Sequence, residues 1–170
     1  MSALTTFKAQ SFNWKTIVLS VLAFWLSGSL LLDLVLMPTM YATGMMAEPG
    51  FATAGYSIFG VFNRIELLCA ALVLTGILVM RNTHAIASQA SQWMVPLAIG
   101  LLGVVLVCTY ELAPEMSALG LTLNLFEPAA AVPAVMSQMH LEYWMLELMK
   151  LVATSILLSF CYRQKEAAQG

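Results

Sequence analysis

Charge is what this sequence has least of. Only 9% of its 170 residues are Asp, Glu, Lys or Arg, against about 25% in a typical soluble domain. Seven basic residues are too few to build a surface for a nucleic-acid backbone, which removes nucleic acid as a partner. The three cysteines, Cys69, Cys108 and Cys161, show no C-x-x-C spacing. That excludes a disulfide framework or a zinc knuckle and leaves them as small core hydrophobes. His84 and His140 are the only histidines, and neither completes a Glu-x-x-His pair, so a di-iron bundle is excluded. The sequence also lacks the nucleophile-elbow, H-E-x-x-H, Walker and dinucleotide-binding glycine patterns. It requires no cofactor, offers no catalytic residue and leans away from an enzyme.

What is abundant is apolar: 61% of the residues are hydrophobic, against the usual 45 to 50% or so. A helix rises about 1.5 Å per residue and a bilayer's hydrocarbon layer is about 30 Å thick, so about 20 mostly apolar residues cross it. Four stretches qualify, at about 16–37, 56–80, 93–112 and 141–162. The fold class expected is all-α, a polytopic membrane protein forming one four-helix bundle. The first stretch is too long for a signal-peptide core and reads as a retained helix. Pro38 is expected to end the first helix and Pro114 to follow the third. A short interfacial helix is expected within 115–126.

Lys8, Lys15, Arg81, Arg163 and Lys165 flank the spans on one side, while the connections 38–55 and 111–140 contain no Lys or Arg. By the positive-inside rule both termini are expected to be cytoplasmic. Spans one and three then end near the outer surface with similar residues, Asp33, Pro38 and Met40 in one, Glu111, Pro114 and Met116 in the other. Such matches are common by chance, so a duplicated hairpin is one of two readings.

Charges within or beside the spans gather on one level toward the outer side. Asp33, Asn63, Arg64, Glu66, Glu111, His140, Glu147 and Lys150 form this polar layer, with Glu147 and Lys150 expected at its centre. Each Glu or Lys near a bilayer centre costs about 2.5 to 3.5 kcal/mol, so the layer must pair internally. Glu147 and Lys150, three apart, share a helix face with Tyr143 and Thr154; Asn63 and Glu66 share another, while Arg64 points elsewhere, to snorkel outward or to meet Asp33 or Glu147. Asp33, Glu66, Glu111 and Glu147 outnumber Arg64 and Lys150 by two, leaving carboxylates to be hydrated, protonated or bound to a cation.

Tyr110-Glu111-Leu112-Ala113-Pro114-Glu115-Met116, followed by Met139-His140-Leu141, resembles the four-helix membrane protein family related to transmembrane protein 205. Leu34-Val35-Leu36-Met37-Pro38 and Ile58-Phe59-Gly60-Val61-Phe62 fit the same pattern. The resemblance implies a multi-pass protein without an assigned reaction, loosely linked in some members to metal or metallodrug tolerance. It carries over His140 and Pro114 alone. The chain departs from it at Glu115, Glu142, Tyr143 and Trp144, where an Arg and small polar residues are the family's tendency.

Three functions remain open. The first is a site in the outer polar layer for a proton, a small cation or a soft metal, the last through Met37, Met40, Met136, Met139 and His140. The second is a structural subunit whose face at Ser27, Gly28 and Ser29 packs on other membrane-protein subunits. The third is a single-His haem or quinone component at His140.

Overall fold

The computed structural model describes residues 13–45, 50–83, 88–118 and 134–166. α1 runs Trp14–Leu31, passes through a π-helical turn at Leu32–Leu36 and goes on as Met37–Ala42. α2 is Phe51–Asn82. α3 runs Ser88–Val107, has its own π-helical turn at Cys108–Leu112 and goes on through 113–118. α4 is Ala134–Glu166. Each contains a stretch of 26 to 30 residues apolar and long enough to cross a membrane. Among the described residues there is no strand.

The four expected helices are therefore present, with corrected bounds. Pro38 does not end α1, nor does Pro114 stand outside α3. A proline lacks the N–H for its helical bond and its ring crowds the carbonyl four residues back. Here the turn before each proline widens: Met37 N–H bonds to Leu32 O and Ala113 N–H to Cys108 O, five residues back instead of four. The extra residue makes room for the ring and the helix continues. Residues 115–118 consequently belong to α3 rather than to an interfacial helix, and the rest of that expected helix, 119–126, lies outside the described residues. α4 starts seven residues before the expected 141.

Neighbours in the bundle follow chain order around a square. α1 packs on α2, α2 on α3, α3 on α4 and α4 back on α1, while among the described residues the diagonal pairs make no backbone approach. α1 and α2 approach closely at buried Gly76, where an added Cβ would collide with Val18 Cγ2 of α1. The lower core is apolar, built from Val18, Leu22, Val73, Ile77, Met94 and Leu157 with the free cysteines Cys69 and Cys161.

The two hairpins share part of their burial pattern. With a shift of 76 residues the buried positions Val18, Leu22, Trp25, Ser29 and Leu32 of α1 fall on buried Met94, Ala98, Leu101, Val105 and Cys108 of α3, and Pro38 falls on Pro114. With a shift of 81, buried Glu66, Cys69, Val73 and Met80 of α2 fall on buried Glu147, Lys150, Thr154 and Cys161 of α4. Of the two readings of the similar helix ends, the matching π turns favour a duplicated hairpin.

Polarity is inverted relative to a soluble bundle. Leu31, Leu34, Leu68, Trp93, Leu141 and Met145 are more than 60% exposed, whereas Asp33, Asn63, Glu66, Glu147 and Lys150 are buried. Hydroxyls on the outer faces, those of Ser27, Thr39, Ser57 and Thr75, bond back to carbonyls four residues earlier on their own helix, which leaves few polar groups needing water.

Candidate functional site: a buried carboxylate and lysine cluster

Long side chains cross the diagonal that the backbones leave open. Lys150 Nζ of α4 lies 2.5 Å from Glu66 Oε2 of α2 and 2.7 Å from Glu147 Oε2 on its own helix. Glu66 is fully buried and Lys150 nearly so, at 0% and 2% exposure. Every charge so placed needs partners, because an uncompensated ion in a low dielectric is expensive. Glu66 has them on both oxygens: its Oε1 accepts from Trp25 Nε1 at 2.8 Å and from Ser29 Oγ at 3.3 Å.

A second pair lies beside the first. Tyr143 Oη donates to Asn63 Oδ1 across the same diagonal at 3.1 Å, and its ring takes an edge-to-face contact from Phe59. The ammonium of Lys150 lies 5.9 Å from the Tyr143 ring centroid, close enough for a cation–π attraction. Tyr143→Phe is expected to lower stability by about 1 kcal/mol, since it removes the phenol from a buried amide and keeps the ring. Thermal unfolding in detergent checks it; an unchanged midpoint would mean that the bond contributes nothing.

Two polar atoms in this layer, Asp33 Oδ2 and Asn63 Nδ2, are buried without a hydrogen-bond partner among the described residues. Asp33 lies in the π turn of α1, within electrostatic reach of Lys150 and Glu66. Buried polar atoms are nearly always satisfied, so this open acceptor and open donor are the two groups of the layer with hydrogen-bonding capacity to spare. Two buried carboxylates, Glu66 and Glu147, thus meet a single ammonium, and a third buried carboxyl group, Asp33, stands in the same layer without touching it.

Five of the eight residues expected in the polar layer, Asp33, Asn63, Glu66, Glu147 and Lys150, are brought to this centre. The expected pair of Glu147 and Lys150 forms, but the ammonium is shared with Glu66, which holds the most contacts. Arg64 and Glu111 are exposed and stand outside. Arg64 meets neither Asp33 nor Glu147, because it lies two residues from Glu66 and so on a different helix face. His140 is exposed and ten residues before Lys150, about 15 Å along the helix. His84 lies outside the described residues.

Sequence reasoning missed Trp25 and took Ser29 for an outward face. The signal was their spacing: Trp25, Ser29 and Asp33 are four residues apart and share one face. Gly28 also faces inward, with Phe62 of α2 3.2 Å from where its Cβ would be. Among the described residues no group of three His, Cys, Asp or Glu is placed to hold a metal. Met37 and Met40 are half-buried beside Pro38 in α1 and Met139 is half-buried near the start of α4, and the side chain of Met136 lies outside the described residues. Comparison with protein-family models, with curated proteins and with solved structures finds no match to this chain.

Proposed function

We propose that this protein is a multi-pass membrane protein, with both termini cytoplasmic, whose buried cluster takes up and passes on a proton or a small cation. The observation that carries this reading is the excess of carboxyl groups over ammonium in the cluster, together with the unpartnered Asp33 Oδ2. A proton on Asp33 removes the surplus negative charge, and a small cation balances it while coordinating the open oxygen.

The exterior supports the membrane part. Exposed Trp93 and Tyr110 are seventeen residues apart on α3, and exposed Trp144 and Tyr162 eighteen apart on α4. At 1.5 Å per residue these make two aromatic levels about 26 Å apart, near the thickness of a hydrocarbon layer. Glu147 and Lys150 lie three and six residues inside Trp144, too deep to be headgroup residues. The resemblance to the family related to transmembrane protein 205 agrees with a multi-pass arrangement and assigns no reaction.

The test is flux. Purified protein in vesicles loaded with a pH-sensitive or a sodium-sensitive dye, under a potassium diffusion potential, is expected to raise the inward flow of one of the two ions above protein-free vesicles. Asp33→Asn is expected to return it to the leak level while leaving thermal stability nearly unchanged, because Oδ2 has no partner to lose. Wild-type vesicles indistinguishable from empty ones with both dyes would remove the proposal.

A further inference from the structure

Outside the cluster, a cation stands among apolar side chains on the outer face of α2. Arg64 is exposed between exposed Val61, Ile65 and Leu68, and among the described residues no carboxylate lies within salt-bridge distance of it. A guanidinium among apolar side chains costs several kcal/mol in hydrocarbon unless an anion or water meets it. It borders a cavity of about 400 Å³ between α2 and the end of α3, lined also by Thr53, Tyr56, Ser57, Gly60 and Ser117.

The cavity is a built feature of the local sequence. Thr53, Ser57, Gly60 and Arg64 are spaced three or four apart along α2, so they form one stripe from its first turns down to the guanidinium. A Cβ at Gly60 would meet nothing within 4 Å, so the stripe is open there. Tyr56 Oη donates to Met116 O and fixes the end of α3 as the opposite wall. The hydroxyls of Tyr56 and Ser57 are thus committed, the latter to Thr53 O. Those of Thr53 and Ser117 carry no bond to described residues and remain as donors at the far end of the groove, Thr53 eleven residues, about 16 Å of helix, from Arg64.

We propose that this groove binds an anionic membrane lipid, its phosphate on Arg64 and the polar remainder of its headgroup toward the hydroxyls of Thr53 and Ser117. Arg offers a planar fork that matches two phosphate oxygens. On the cytoplasmic side basic pockets between membrane helices bind anionic lipid headgroups, and Arg64 offers the same contact toward the outer side. The apolar side chains around Arg64 favour a phosphate that arrives attached to acyl chains over one free in water. This rests on the membrane reading, but its test reads binding and not flux, so either can fail alone.

Delipidated protein in neutral detergent is titrated with phosphatidylglycerol, with diacylglycerol and with inorganic phosphate, and bound lipid is counted by native mass spectrometry. The expected result is one tight phosphatidylglycerol, weakened roughly tenfold or more by Arg64→Gln and less by Arg64→Lys. The lipid-free melting temperature of Arg64→Gln should equal that of the wild type, since Arg64 holds no other helix, so a loss of lipid is not a loss of fold. Equal lipid affinity in Arg64→Gln overturns the proposal. So does diacylglycerol binding as tightly as phosphatidylglycerol, or inorganic phosphate alone reproducing the effect.

Discussion

Lys150→Met is expected to lower the unfolding free energy by about 3 to 5 kcal/mol, the cost of leaving buried charge without its partner. It strands two carboxylates at once, Glu66 and Glu147, both of which reach the ammonium within 2.7 Å. Glu147→Gln should cost much less, because Lys150 keeps Glu66. Glu66→Gln falls between: Lys150 keeps Glu147, but the indole of Trp25 and the hydroxyl of Ser29 lose a charged acceptor. Combining Lys150→Met with Glu66→Gln should therefore be less damaging than the sum of the two. Such a cycle on detergent-solubilised protein isolates the pair term. Strictly additive losses would mean that the two side chains do not act as a pair.

Gly76→Ala is the second large effect expected, a loss of about 1 to 3 kcal/mol from overpacking. In an exposed helix the same change stabilises by up to about 1 kcal/mol, because glycine is a poor helix former. The sign reverses here because the new methyl would enter the space of Val18 Cγ2. Val18 is fully buried and β-branched, with one preferred rotamer in a helix, so it cannot swing aside. Val18→Ala should restore most of the loss in the double variant. If Gly76→Ala unfolds at or above the wild-type temperature, α1 and α2 are not in contact at this point.

The four helices were legible because apolar runs of this length have few other readings, and their polar layer because a charge inside such a run stands out. Which charge meets which was not legible. Glu66 and Lys150 are 84 residues apart and meet across a diagonal, a matter of how each helix is rotated, and periodicity along one helix does not fix that rotation against another. The prolines misled for a related reason. A helix that stops before Pro38 and one that widens by a residue to pass it carry the same local sequence, and only the packing of the turns beyond distinguishes them. Trp25 was hidden by its composition, since an indole in an apolar run reads as bulk, and its single donor matters only once an acceptor faces it.

The repeat of the two hairpins bears on why both are carried on one chain. A helical hairpin that paired with an identical copy of itself would form the same square, with every position on the shared axis filled twice. Glu66 and Glu147 obey that rule as equivalent positions. Lys150 does not, for its counterpart in the other hairpin is Cys69. A dimer of identical halves supplies an even number of ammonium groups, none or two. A lone cation between two matched carboxylates needs halves that can differ, and joining them in a single polypeptide is what allows an odd count at the centre.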